Sequence, residues 1–192
     1  IVTSNGSGYV ITNNVIGYAS ATGTGVMTYN GAFTNRYFAI ELTASNTGTA
    51  SSIQGNTITA ISLTTTSGSG TAPGIFTGIS LLGGTATIGN TTPNIIGAST
   101  GTGAISVTTS NTGTIYGIHA NSTGTLNVSN NVIGSISGTG SAAGATCNFT
   151  GINLAGAGTA FTVNGNTIGG ATANSIASGT SGTTTATATI TG

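Results

Sequence analysis

Charge is almost missing from this sequence. Among 192 residues the only charged side chains are Arg36 and Glu41, and Lys, Asp and Trp do not occur. Soluble domains normally carry a charge at about one residue in four. A single Arg can neither neutralise a run of phosphates nor bind an anionic lipid surface. We therefore expect no nucleic-acid partner.

Long apolar runs and paired cysteines are missing too. No run approaches the ~18 apolar residues of a membrane-spanning helix, so we expect no membrane insertion. Cys147 is alone, which excludes an intrachain disulfide and favours a structural thiol. What is abundant is Gly, with 34 residues, together with Thr, Ser, Asn and Ala. Such a composition suggests a flexible linker, but 36% hydrophobic residues and a mean hydropathy of +0.31 predict a folded chain.

An asparagine recurs before a short apolar run, as in "NNVIGS" and "GNTIGG". The interval is 35 to 42 residues, and the positions are Asn14, Asn56, Asn94, Asn131 and Asn166. A second motif, "FTGISL" or "YGIHA", returns at intervals of 34 to 39 residues, with the isoleucines Ile40, Ile79, Ile118 and Ile152. Two independent motifs with nearly the same period indicate a repeat architecture.

Short alternating segments lie between these motifs. "TATIGN", "TLNVSN" and "AFTVNG" place apolar residues at every second position, which is typical of half-buried strands. No segment has the apolar stripe of a helix. The chain is therefore predicted to be all-β, with about three short strands per repeat, in the order of "FTGISL", "TATIGN" and "NIIGAS". Ile105 and Val107 also alternate in "AISVTT", so a fourth strand within the long Gly/Ser/Thr loop remains an open alternative.

Three short strands cannot bury an apolar face alone, whereas stacked repeats share a continuous core. In this respect the chain resembles the right-handed parallel β-helix proteins, the β-solenoids found among secreted bacterial surface and adhesin-type proteins. The resemblance rests on "I-x-x-N-N-x-I" followed by "G-I-x-L" and covers about five coils. It implies a single parallel β-helix and says little about function, because this architecture serves lyases, adhesins, stalks and ice binders.

The repeated asparagines are expected to occupy a tight bend between the second and third strands. There they would tolerate a left-handed backbone and hydrogen-bond to the asparagine one coil away. The ladder would comprise Asn14, Asn56, Asn94, Asn131 and Asn166. Thr91-Thr92-Pro93 is an insertion at one bend, just before Asn94. The expected inward stacks are Ile16, Ile58, Ile96, Ile133 and Ile168, and Ile40, Ile79, Ile118 and Ile152.

The candidate catalytic residues directly follow the isoleucines of the second stack, which begins at Ile40. The next position reads Glu41, Ser80, His119 and Asn153 in successive repeats, and we expect these side chains on the outer face. A glycosidase needs two carboxylates and this chain has one. Ser80, His119 and Glu41 would lie about 4.8 Å apart from coil to coil, too far for a hydrolytic triad. Calcium and zinc patterns are absent. The sequence thus predicts no catalytic, cofactor-binding or metal-binding residues.

Two classes of function remain. The first is a non-enzymatic structural protein, located outside the cell or at the cell surface, that self-associates into a fibre, filament or adhesin stalk. Low charge favours association, and the ending "TTTATATITG" alternates like a strand, with Ala186, Ala188 and Ile190 on one face. Residues 1–192 are accordingly expected to be one solenoid domain, either a fragment of a longer array or a subunit stacked end to end with identical copies.

The second class is an ice- or glycan-binding solenoid. Thr85, Thr87, Thr125, Asn127 and Thr162 would lie on the outer side of the second strand, although Val10 and Ser52 interrupt that column. A polysaccharide-active β-helix enzyme is the third alternative.

Overall fold

The chain folds as one parallel β-solenoid of five coils. The computed structural model describes residues 1, 6–179 and 188–192, and these residues contain twenty strands and no α-helix. The strands form four parallel sheets of five strands, and each coil contributes one strand to every sheet. The predicted all-β fold and number of coils are confirmed. "AISVTT" provides a full fourth strand, so each coil has four sides.

Strand bounds follow the coil order. Sheet 1 contains β1 (Val10–Thr12), β5 (Ser51–Gln54), β9 (Ala86–Gly89), β13 (Thr125–Ser129) and β17 (Ala160–Asn164). Sheet 2 contains β2 (Val15–Gly17), β6 (Thr57–Thr59), β10 (Ile95–Gly97), β14 (Val132–Gly134) and β18 (Thr167–Ile168). Sheet 3 contains β3 (Met27–Asn30), β7 (Ile61–Thr65), β11 (Ile105–Thr109), β15 (Ile136–Gly140) and β19 (Ile176–Gly179). Sheet 4 contains β4 (Tyr37–Thr43), β8 (Phe76–Gly83), β12 (Gly113–Asn121), β16 (Cys147–Ala155) and β20 (Ile190–Thr191).

The register between coils aligns like residues into columns. In sheet 2, strand pairing aligns Ile16, Ile58, Ile96, Ile133 and Ile168. In sheet 4, it aligns Ile40, Ile79, Ile118 and Ile152. In sheet 3, the corresponding column is Met27, Ile61, Ile105, Ile136 and Ile176. Because a shift of one residue would turn each column outward, apolar burial fixes this register.

Burial differs between the middle and the ends of the solenoid. Ile58, Ile96 and Ile133 are fully buried, whereas Ile16 and Ile168, at the ends of the same column, are only partly buried. The exposed large apolar residues lie mostly in the first and last coils. They include Val10, Val15, Phe161, Val163 and Ile190. The solenoid therefore has two end faces that open onto its core.

A bend in the strands of sheet 4 shapes the outer surface. Ile115 and Ile118 both belong to the core, although their spacing of three breaks the alternation of a straight strand. The bend falls at Gly117, where a Cβ atom would lie 2.6 Å from the carbonyl oxygen of Gly151 and 2.8 Å from Cγ2 of Ile133. Only glycine leaves room for this corner.

The segment "TTTATATITG" is described only in part. Ala186 lies outside the described residues, and so does the alternation predicted around it. Ala188 is half-buried, and Ile190, 54% exposed, pairs with Phe149 in the preceding coil.

Candidate functional site

Hydrogen bonds join the five repeated asparagines from coil to coil. Each of the first four side-chain amides donates to the Oδ1 atom of the asparagine in the next coil. The Nδ2–Oδ1 distances are 2.9 Å for Asn14 to Asn56, 2.9 Å for Asn56 to Asn94, 2.9 Å for Asn94 to Asn131 and 2.8 Å for Asn131 to Asn166. Asn94 keeps its place despite the insertion before it. Thr91 of that insertion instead donates its N–H and its hydroxyl to Oε1 of Gln54.

The same side-chain amides also donate hydrogen bonds to the sheet 1 strand of the preceding coil. Nδ2 of Asn94 donates to the carbonyl oxygen of Ile53 at 2.8 Å, and Nδ2 of Asn131 donates to that of Ile88 at 3.0 Å. Asn56, Asn94 and Asn131 are fully buried. Buried amides need such partners, since an unpaired one would be costly. The ladder thus adds to the backbone pairing at this corner, where the backbone carbonyls of Asn56 and Asn94 also accept from the next coil.

The backbone at this corner differs from the expectation. None of the five ladder asparagines has a left-handed backbone. At four of the five positions the residue directly before the ladder asparagine has one instead, with φ values of 58° at Asn13, 69° at Gly55, 60° at Asn130 and 64° at Gly165. Asn94 follows Pro93, and there the left-handed residue is Asn90, with φ 87°. The left-handed residue turns the chain, and the following asparagine is then free to point inward.

The predicted outer column is correctly aligned, but half of it is buried. Strand pairing places Glu41 beside Ser80, Ser80 beside His119, and His119 beside Asn153. We expected all four on the outer face, yet Ser80 is 0% exposed and His119 is 3% exposed. Each of the two follows a glycine at the bend of its own strand, Gly78 in β8 and Gly117 in β12, and the rings of Tyr116 and His119 lie 5.8 Å from each other across that bend. Sequence alternation alone gave no sign of this burial.

Two polar atoms of this column are unsatisfied. Oγ of Ser80 and Nδ1 of His119 have no hydrogen-bond partner among the described residues. Burial lowers the pKa of His119 below its usual value, and a hydrogen bond with Asn153 opposes part of that effect. A neutral, buried imidazole with no bond to the Ser80 hydroxyl does not form the base and nucleophile pair that hydrolysis requires.

Arg36, the only cation among the side chains, lies near the same sheet. Its Nε donates to the carbonyl oxygen of Gly74, and its guanidinium lies 4.9 Å from the centre of the Phe38 ring. These contacts are with a carbonyl and a ring, not with a carboxylate.

A hydroxyl-bearing surface on sheet 3 was not identified from the sequence. The outward residues of β7, β11 and β15 form two rows, one of serines and one of threonines. The rows are Ser62, Ser106 and Ser137, and Thr64, Thr108 and Thr139. Thr28 extends the first row, while Asn30 and Gly179 flank the second. We call these six Ser and Thr residues the hydroxyl face. The repeated "IS-x-T" was the signal that could have revealed it.

The threonine column expected on sheet 1 is less regular. Val10, Ser52, Thr87, Asn127 and Thr162 are aligned by strand pairing, so its chemistry changes from coil to coil. Thr125 has a different partner, since its hydroxyl lies 3.1 Å from that of Thr159.

Cys147 is fully buried at the start of β16. Burial raises the pKa of its thiol to about 12, although a hydrogen bond with the backbone of Thr139 acts in the opposite direction. The thiolate is the reactive form of cysteine, so this side chain is inert in the folded protein.

The described residues contain no cluster of three or more His, Cys, Asp or Glu side chains suited to a metal ion. They also contain no helix long and apolar enough to span a membrane. Comparison with protein-family models, with curated proteins and with solved structures finds no match. The fold defines the class, a parallel β-solenoid, and the resemblance to bacterial surface proteins carries no support beyond the fold.

Proposed function

We propose that this chain is a non-enzymatic structural β-solenoid, placed outside the cell or at its surface, that joins identical copies of itself into a fibre or filament. The observation that carries the proposal is the near absence of charge on a surface built of short parallel strands. Backbone groups at strand edges can pair with another chain.

The surface composition supports the same proposal. With one Arg and one Glu in 192 residues, the protein has little charge repulsion to keep copies apart. Val10 and Val15, on the outer sides of β1 and β2, are exposed apolar side chains that a second copy can cover.

The test is the molecular mass in solution as a function of concentration. Static light scattering and electron microscopy of the purified chain are expected to show growth into elongated particles as the concentration rises. Particles that thicken without lengthening, or a mass equal to one chain at every concentration, would contradict the proposal.

The hydroxyl face favours a second candidate, an ice- or glycan-binding module. Its rows repeat about every 4.8 Å across the strands and about every 7 Å along them, which gives a flat lattice of hydroxyls. The side chains of Ser62, Ser106 and Thr108 are partly exposed, and that of Thr139 is exposed. Thermal hysteresis and pull-down on insoluble polysaccharides test it.

A matched pair of variants sharpens that test. Thr108→Tyr places a large side chain in the middle of the hydroxyl face, whereas Thr87→Tyr makes the same change on sheet 1. Loss of binding in the first variant alone would support the second candidate, and equal binding in both would reject it.

A further inference from the structure

The outer surface of sheet 2 carries an apolar stripe along the solenoid. Neighbouring residues of a strand point to opposite faces, so the residues directly before the inward isoleucines point outward. Strand pairing aligns them into a column in which every side chain is β-branched. We call this column the sheet 2 stripe: Val15, Thr57, Ile95, Val132 and Thr167.

The stripe is open to solvent on the flank of the molecule. Val15 is 64% exposed, and Ile95 and Val132, which have a neighbour in the column on either side, are partly exposed. The strands β2, β10 and β14 each end with a glycine, so no side chain stands beside the stripe there. A further coil at either end would lengthen this flank without covering it.

The other outer faces have a different chemistry. Sheet 3 presents the hydroxyl face, and the outward column of sheet 1 changes from coil to coil. Both charged side chains belong to the sheet 4 side, since Arg36 directly precedes β4 and Glu41 lies within it. The apolar, uncharged flank is therefore the outer face of sheet 2.

We propose that the sheet 2 stripe is the lateral contact between copies of this chain, with two solenoids side by side and their axes pointing the same way. The period of the stripe selects the occupant. Its side chains repeat about every 4.8 Å, so a partner that covers all of them must repeat at the same interval. A second copy does so in every coil, and identical columns on stacked parallel strands interdigitate into a dry contact.

The chemistry of the stripe selects the relative direction of the two copies. A two-fold axis parallel to the solenoid axis sets each residue opposite itself, so Val15, Ile95 and Val132 each meet an apolar side chain. The hydroxyls of Thr57 and Thr167 each meet another hydroxyl, with which they can hydrogen-bond. With one copy turned end for end, Val15 would face Thr167. Thr57 would face Val132, and these hydroxyls would have no partner in a contact that excludes water, which is unfavourable.

This inference rests on the proposed function and names the surface through which the copies associate. A two-fold contact uses the same surface on both copies and closes on itself. It therefore sets the thickness of the fibre at two solenoids and leaves the length of the fibre to other contacts.

Cross-linking through a single introduced cysteine tests the contact. The stripe is one residue wide in each strand, so the contact is smaller than the about 800 Å² per partner of a standard interface, and covalent trapping detects short-lived pairs. Cys147 is fully buried, and burial raises the pKa of its thiol to about 12, so it does not react. Val15→Cys treated with a short bismaleimide reagent is expected to give covalent dimers, because the two new thiols face each other.

Thr108→Cys is the matched control, because it places the same thiol on the hydroxyl face. It should stay largely monomeric under the same conditions. A second control tests the direction of the copies. With one copy turned end for end, the two Val15 positions would lie four coils apart, about 19 Å. Dimers would then form only in a mixture of Val15→Cys with Thr167→Cys.

A charge in the middle of the stripe should block the contact. Ile95→Lys combined with Val15→Cys leaves an unpaired charge on each side, so the yield of cross-linked dimer should fall at least about tenfold. Thr108→Lys combined with Val15→Cys adds the same charge in the same coil, on sheet 3, and should leave the yield unchanged. Thr57→Lys is a second blocking variant, at a residue that is already polar. Circular dichroism melts establish that each variant is folded.

The outcomes distinguish this contact from the proposed function. If wild type associates in light scattering but Val15→Cys gives no more dimer than Thr108→Cys, the sheet 2 contact is overturned while self-association stands. Dimers that form only in the mixture with Thr167→Cys, or an undiminished yield in both blocking variants, overturn it as well. A wild-type chain that stays monomeric at every concentration overturns both proposals.

Discussion

Asn131 is held by both neighbouring coils. Its amide donates to Asn166 and to the carbonyl of Ile88, and its oxygen accepts from Asn94. We expect Asn131→Ala to lower the free energy of unfolding by about 3 kcal/mol, because several buried groups lose their partners. This corresponds to a fall in Tm of about 6–12 °C for a chain of this size.

Asn111→Ala is the control for that change. The Asn111 side chain is exposed and donates only to the carbonyl of Thr66. Thermal melts of the two variants should differ clearly, and equal effects would mean that the ladder contributes no more than a surface turn.

His119 makes stability depend on pH. Burial lowers its pKa in the folded protein, so the unfolded chain binds the proton more readily. Stability from this residue is therefore complete above about pH 6.5 and is lost as pH falls below that value. We expect a lower Tm at pH 5 than at pH 7.5. Since the chain has one histidine, His119→Gln should flatten the profile between these values. An unchanged slope in that variant would refute the assignment.

At the level of strands, the corner of sheet 4 depends on glycine. Gly117→Ala would place Cβ against the carbonyl of Gly151 and the side chain of Ile133. We expect a loss of about 2 kcal/mol or more, measured by urea unfolding. Gly70→Ala is matched, because no atom lies within 4 Å of its added Cβ. That variant should stay within about 0.5 kcal/mol of wild type. Similar losses at both positions would show that the corner tolerates a side chain.

The coils could be predicted from the sequence because the residues that recur in the repeat are the same residues that strand pairing aligns from coil to coil. In each coil a ladder asparagine is followed two residues later by an inward isoleucine. Only one register between the strands buries both side chains. The bend at Gly117 was not predicted, because strand alternation cannot turn both Ile115 and Ile118 inward. Ser80 and His119 lie just after the bends of their strands, and alternation alone places them on the outer face. The left-handed backbone was assigned to the ladder asparagine because Asn tolerates it, whereas the preceding Asn13, Gly55, Asn130 and Gly165 adopt it.

At the scale of the whole molecule, assembly is expected to be insensitive to salt. With one Arg and one Glu in the sequence, a contact between copies would consist of apolar side chains and hydrogen bonds, and neither interaction is screened as an ion pair is. The concentration for half association should change less than about threefold between low and high sodium chloride. Removing the charges at Arg36 and Glu41 by double substitution to Gln should leave it unaltered. Dissociation at high salt would point to an electrostatic contact instead.

Each strand pairs only with the strands of its own sheet in the adjacent coils. This arrangement has a mechanical consequence. A force pulling on the two chain ends along the axis loads the terminal coil first, because its hydrogen bonds to the next coil lie along the direction of pulling. Coils should then detach singly, and each would release the 35 to 42 residues between successive ladder asparagines. Such a chain lengthens by about 12–15 nm at each step. A fibre of these solenoids would yield in small increments and dissipate work at each one, instead of breaking at once.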